Sequence, residues 1–121
     1  MQCKGRQFPT CPFELLQSEN FQREFERSDR ETQENVNKVI LNEIQINPEN
    51  FALMKYEYAG IREVRIGKQL RLLFAICDEC RELRTELIRC SDCNELDQNS
   101  IKLLTLFSHK KRYPRPQSFM K

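Results

Sequence analysis

A chain of 121 residues, 39% of them apolar and 31% charged, can build one domain of ordinary size but not two. No apolar run approaches the roughly 20 residues needed to cross a bilayer. The opening MQCKGRQFPTC lacks the apolar centre of a secretory signal, so the expectation is a cytoplasmic protein with no membrane segment. A net charge of +2 says little by itself, but the charges are segregated. Acidic residues gather between Glu14 and Glu49, whereas Ile61–Ile76 and the chain beyond Asn99 are strongly basic. That split predicts a basic face on a nearly neutral protein.

Residues 1–12 hold Cys3, Pro9, Cys11 and Pro12 without periodicity and read as an N-terminal tail. Phe13–Gln17 is a short apolar run suited to an edge-lying strand. Ser18 is a good N-cap for a helix over Glu19–Arg27, with Phe21 and Phe25 one turn apart. Ser28-Asp29-Arg30-Glu31 has the form of a capping box and announces a second helix. Along that helix Val36, Val39, Ile40 and Ile44 recur at helical spacing until Asn47-Pro48 ends it. Phe51–Tyr58 reads as a loop with a short strand entry.

Ile61–Ile76 then folds as two strands reversed at Gly67-Lys68-Gln69. Val64 and Ile66 share one face of the first strand, and Glu63 and Arg65 the other. Leu70, Leu72, Phe74 and Ile76 face away from Arg71, Leu73 and Ala75 in the second. Two arginines, Arg65 and Arg71, on one side of a hairpin suit contact with phosphate or carboxylate. A cross-strand salt bridge between Arg71 and Glu63 is the competing structural role. Ile101–His109 is a further apolar strand with a central position. Arg112–Lys121 reads as an extended tail running out through Pro114 and Pro116.

Between the last two strands stand Cys77-Asp-Glu-Cys80 and Cys90-Ser-Asp-Cys93, two CxxC pairs separated by nine residues. Two such turns can assemble a tetrahedral sulfur site. The predicted insert, 77–93, is therefore a lengthened β-hairpin whose tip is clamped by one structural zinc, with iron second and disulfides as the other reading. Four thiolates close the coordination sphere, and with one histidine in the chain no catalytic metal is expected. Asp78, Glu79, Asp92 and the linker RELRTELIR are expected to keep that tip in water.

The end of the last strand, Phe107–Pro114, packs His109, Lys110, Lys111, Arg112 and Tyr113 together. A solvated basic terminus is the plain reading. If the last strand pairs with the central hairpin, the cluster lies beside Arg65 and Arg71 and suits RNA phosphodiester transfer. That reaction uses the 2′-hydroxyl as nucleophile. It needs groups that take and give protons, and cations around the crowded phosphate. His109 and Tyr113 are candidates for the protons; Arg71, Arg65, Lys110 and Arg112 for the charge.

The order of these pieces resembles the RelE/ParE toxin superfamily. Its hairpin signature is matched by Glu63-Val64-Arg65-Ile66-Gly67-Lys68-Gln69-Leu70-Arg71-Leu72-Leu73-Phe74, its terminal element by Ser108-His109-Lys110-Lys111-Arg112-Tyr113, and its turn after the second helix by Asn47-Pro48. The resemblance runs over Phe13–Pro114 apart from the cysteine insert, and Glu63 stands where ribosome-dependent members often have a lysine. It implies a single α+β domain over 1–121: an N-terminal strand, a two-helix hairpin, then an antiparallel sheet of three or more strands. It also implies the toxin of a type II toxin–antitoxin system, a metal-independent endoribonuclease cutting mRNA in the ribosomal A site. The catalytic set is then Arg71, Arg65, His109, Lys110 and Tyr113. Arg71 takes the phosphate-stabilising position and Arg65 a substrate-binding or proton-handling one. RNA contacts fall to Arg62, Lys68, Lys111, Arg112 and Arg115. The implied partners are a cognate antitoxin, mRNA and the ribosome, with the toxin alone a monomer. From a different class, a non-enzymatic binding module or a gyrase inhibitor of the ParE kind would use the same basic face and zinc tip.

Overall fold

The structure, a computed structural model, describes residues 13–90 and 100–120. Cys3, Cys11, Cys93 and the tail 1–12 lie outside them. Five strands form one sheet in the order β1-β5-β4-β3-β2, with β1 Glu14–Gln17, β2 Ala52–Leu53, β3 Arg62–Ile66, β4 Leu70–Ile76 and β5 Ser100–Ser108. All neighbours are antiparallel except β1, which pairs parallel to β5 at the edge. Helices α1 (Glu19–Arg27) and α2 (Arg30–Val39) follow β1, α3 (Cys77–Leu83) follows β4, and a one-turn α4 (Pro116–Phe119) closes the described chain.

Ser18 explains how the first strand hands over to α1. Its Oγ accepts from the Phe21 amide at 3.0 Å and donates to the Leu104 carbonyl at 2.6 Å. One side chain thus satisfies an orphan amide of the helix and ties the corner to β5. The cap of α2 differs from expectation. Asp29, not Ser28, accepts from the Thr32 amide, at 2.7 Å, while Ser28 closes the C-terminus of α1. A carboxylate acceptor at the positive end of a helix also gains from the helix dipole, an advantage that a serine hydroxyl lacks. After Val39 the helix widens into a π turn over Ile40–Ile44, and Pro48 opens a short 3₁₀ turn.

Phe21, Val36, Ile40 and Ile44 from this helical layer cover one sheet face, meeting Val64, Ile66, Leu72, Phe74, Ile76, Ile101, Leu103 and Leu106. A register shift opposite Leu73/Phe74 lets Leu103 and Leu106, three residues apart, serve that same face. The other face is covered as well. Leu73, Ala75 and Leu104 pack with Ile61, Cys80, Cys90, Phe119 and Met120. Two expectations fail here. The tail does not run out as an extended segment: Pro116 sits at the start of α4, and Phe119 and Met120 are buried at 2% and 0% exposure. Nor is the stretch after β4 an extension of the β-hairpin. Cys77–Leu83 is helical, with acidic residues Asp78 and Glu79 in its first turn and Arg81 in its last, as the helix dipole favours.

Candidate functional site

The hairpin β3–β4 sets the site. Val64 pairs with Leu72 and Arg65 with Arg71, so the core row and the polar row alternate in register across both strands. Gly67, at φ +65, takes the left-handed conformation required by the reversal. Next door, Arg71 pairs with Phe107 of β5, and the His109 amide donates to the Gln69 carbonyl at 2.8 Å. That bond continues the β4–β5 ladder by one step and holds His109 beside the hairpin turn. The result is an open cleft of about 270 Å³ lined by Arg65, Gly67, Lys68, Leu70, Arg71 and His109.

On the same sheet face, Arg71 Nη1 donates to Glu63 Oε1 at 2.9 Å and to the Tyr113 hydroxyl at 3.0 Å. The Tyr113 hydroxyl in turn donates to Glu63 Oε2. The Arg71 and Glu63 side chains are 18% and 15% exposed, so water only partly screens their attraction. Aromatic packing steadies the third member. The Tyr113 ring lies edge-on to Phe107 and Tyr58, with centroids 5.1 and 6.1 Å away, and Arg71 stands over it at 5.7 Å. Tyr58 also donates its hydroxyl to the Pro114 carbonyl at 3.0 Å, pinning the segment that carries Tyr113. Burial first, then the bond to Glu63 and its charge, push the Tyr113 phenol above its usual range; Arg71 and Arg65 act in the opposite direction. The phenol is therefore held in its protonated form, as the donor to Glu63.

Of the residues singled out from sequence, Arg65, Arg71, Lys68 and His109 share the cleft, and Tyr113 closes on Arg71. Lys111 and Arg112 line a neighbouring hollow of about 290 Å³ that also touches Leu70, between α1 and the end of β5. Lys110 and Arg115 are exposed on the segment that follows β5. Arg62 is placed elsewhere. It is 9% exposed, donates to both carboxylate oxygens of Glu79 at 3.0 and 2.7 Å, and donates to the carbonyls of Phe51 and Glu49. Its guanidinium ties α3 and the 49–51 turn to β3 rather than facing the cleft. Glu79, expected in water at the tip, is the other half of that tie. The Arg71–Glu63 salt bridge expected as the competing structural role is present, and what the sequence reading missed is that the same carboxylate also holds Tyr113. The alternation puts Glu63 on the face of Arg65 and diagonal to Arg71.

Of the four cysteines, Cys77, Cys80 and Cys90 are buried, at 4%, 3% and 9% exposure. Cys77 and Cys80 lie one turn apart on α3. Among the described residues no three His, Cys, Asp or Glu side chains stand placed to hold a metal ion; Cys93 is outside them. No described helix is long and apolar enough to cross a membrane.

No protein-family model matches the sequence, and no curated protein matches it. The fold does have counterparts among solved structures. A chain of the RelBE2 toxin–antitoxin complex from Mycobacterium tuberculosis superposes with a TM-score of 0.60 at 16% identity, covering 81% of this chain and 99% of that one. The conserved hypothetical protein HP0894 from Helicobacter pylori superposes with a TM-score of 0.52 at 16% identity, covering 84% and 99%. At this identity the likeness is one of fold: this chain has the α+β architecture of a chain in a RelBE-type complex.

Proposed function

We propose that this protein is the toxin of a toxin–antitoxin pair and cuts mRNA by attack of a ribose 2′-hydroxyl on the adjacent phosphate. The observation that carries the reading is the meeting of Arg71, Glu63 and Tyr113 beside the cleft of Arg65, Lys68 and His109. Arg71 and Arg65 hold the phosphate and offset the charge that builds on its oxygens. Glu63 takes the 2′-hydroxyl proton. The 2′ oxygen bonds to phosphorus, the bond from phosphorus to the 5′ oxygen breaks, and His109 protonates that leaving oxygen. The products are a 2′,3′-cyclic phosphate and a 5′-hydroxyl. Tyr113 orients Glu63 and Arg71, and the exposed Lys110, Lys111, Arg112 and Arg115 extend the cationic surface along the RNA backbone.

The ribosomal A site is the proposed setting, in the cytoplasm, because an open cleft with so few groups gains most from a substrate held still by another body. The proposed partner is an antitoxin carrying acidic or strand-donating segments to the basic face. A structural zinc on Cys77, Cys80, Cys90 and Cys93 is proposed for the insert. Two of those cysteines start α3, so the zinc would clamp a helix rather than a hairpin tip. The test is cleavage mapped on translating ribosomes and on free mRNA. Wild type should cut and Arg71→Ala should not, while remaining folded.

A further inference from the structure

Arg84 is the most deeply buried charged side chain described, at 1% exposure, and the proposed mechanism does not use it. A position that needed only filling is filled at lower cost by leucine, because burying a cation is expensive. Its bonds show what the guanidinium holds. Nε donates to the Ile88 carbonyl at 2.8 Å, so the chain just after α3 orients the fork. Nη1 then reaches the carbonyls of both Glu57 and Ala59, at 2.7 and 2.9 Å. Gly60, at φ +80, allows this approach; a Cβ there would stand 3.2 Å from the Cys80 Cα and 3.3 Å from the Arg84 Cγ.

The turn gripped in this way is strained. Tyr56 opens it at φ 60, in the left-handed region that a bulky side chain rarely adopts, and its ring, 89% exposed, gains little from packing. The Tyr56 and Tyr58 carbonyls accept from the Ala59 and Ile61 amides, at 2.9 and 3.0 Å. With Arg84 on the Glu57 and Ala59 carbonyls, every carbonyl from 56 to 59 has a donor. Inside this turn stands Tyr58. Its hydroxyl donates to the Pro114 carbonyl at 3.0 Å, and its ring is one wall of Tyr113, with Phe107 as the other. Phe107 is fixed by the sheet, where it pairs with Arg71. Tyr58 takes its place from the turn. A continuous line of bonds and ring contacts therefore runs from α3 through Arg84, the turn, Tyr58 and Tyr113 to Glu63 and Arg71.

We infer that Arg84 and Tyr58 are positioning residues for the candidate site. Arg84 holds the strained turn against α3, and the turn sets Tyr58 as the wall that keeps the Tyr113 hydroxyl on Glu63 and Arg71. The effect on cleavage rests on the nuclease reading proposed above; the placement of Tyr113 does not. The helix that follows β4 is thereby part of the support of the site.

The test uses the full chain with ring-labelled tyrosine, as wild type, Arg84→Met, Arg84→Lys and Tyr58→Phe. The chain has three tyrosines, and the Tyr113 signals are identified by their loss in Tyr113→Phe. Two neighbouring rings shift those signals away from the values of free tyrosine, a signature of placement that needs no RNA. Arg84→Met, unbranched and without donors, should move them most of the way back. Arg84→Lys, whose ammonium can donate to both carbonyls, should leave them near wild type. On translating ribosomes Arg84→Met should lower kcat about 10- to 100-fold, the scale of a misplacement of about 1 Å. KM should stay within about threefold, since Arg65, Lys68 and Arg71 remain. If Arg84→Met does not fold, Tyr58→Phe decides, because it keeps the ring and removes only the bond to Pro114; it should move the same signals and lower kcat about tenfold. Unmoved Tyr113 signals in the folded variant overturn the inference. Arg84→Lys as disturbed as Arg84→Met overturns the grip on the carbonyls. Moved signals with an unchanged kcat, or a loss confined to KM, overturn the role in cleavage. A wild type that cuts no RNA refutes the nuclease reading, and the tyrosine signals then decide the placement by themselves.

Discussion

Glu63→Ala breaks the site open without removing a cation. Arg71 and the Tyr113 hydroxyl each lose a bond to the carboxylate, at a place where the Arg71 and Glu63 side chains are 18% and 15% exposed. A hydrogen bond to a charged group contributes about 1.5–3 kcal/mol. The rim of the site is open to water, and Tyr113 is 37% exposed, so the lower part of that range applies. The expected loss is about 2 kcal/mol, which for a domain of this size corresponds to a fall of roughly 8 °C in Tm. Urea unfolding of wild type, Glu63→Ala, Tyr113→Phe and the double variant measures the coupling directly. Tyr113→Phe keeps the ring against Phe107 and Tyr58 and removes only the hydroxyl. Partners in one network should couple by about 0.5–3 kcal/mol. If the two losses add to within about 0.3 kcal/mol, the three side chains do not act as a unit and the geometric argument for the site fails.

Phe119→Ala should cost about 3–5 kcal/mol in the same assay, because Phe119 is 2% exposed in the second core; a loss under about 1 kcal/mol would return the terminus to the extended tail expected from sequence. Arg62→Ala leaves Glu79 without its partner and should cost about 3–5 kcal/mol. In variants that remain folded, the salt dependence of RNA binding should keep its slope, whereas Lys111→Ala should reduce it; a changed slope for Arg62→Ala would place that residue on the RNA. Asp29 supplies a pH test. Its bond from the Thr32 amide holds its carboxyl below the ordinary value. The stability it adds is therefore present above the unfolded carboxylate range and is lost as pH falls through the lower folded value. Thermal unfolding of wild type should approach that of Asp29→Asn as pH falls below the ordinary carboxylate value of about 4; a difference that stays constant on acidification would exclude the titration.

The sheet and its first helix were legible because their signals are local. Period-2 alternation fixes the faces of β3 and β4, and Ser18 caps α1 whatever lies beyond it. The second layer was not legible, because it depends on partners distant in sequence. Pro114 and Pro116 suggest an extended exit, yet Pro116 is well placed at the start of a helix, where its missing amide costs nothing. What makes the turn worth forming is the apolar shelf of Leu73, Ala75 and Leu104, which no window around Phe119 contains. The cysteine spacing hid α3 in the same way. CxxC reads as a metal turn, but Cys77, Cys80 and Arg84 also share one helical stripe, and the burial of Arg84 shows only once the 57–60 loop is folded against it. At the site, Arg65, Arg71, His109 and Tyr113 could be named from motif and charge. Glu63 was legible as a cross-strand partner of Arg71, but its bond with Tyr113 joins residues fifty positions apart and shows only in the folded structure.

The most direct test of the central claim is the chemistry of the RNA ends. Wild type, Arg71→Ala and Glu63→Gln should each be incubated with translating ribosomes and, separately, with free mRNA, and the 3′ ends of the fragments characterised. The account predicts 2′,3′-cyclic phosphate ends from wild type, with cutting stimulated by the ribosome. Both folded variants should be slower by about 100-fold or more, as expected where a proton acceptor or the phosphate's cation is removed. Intact RNA in both settings with folded wild-type protein, or cleavage that survives Arg71→Ala, would contradict it and turn attention to gyrase inhibition or a purely binding role for the basic face.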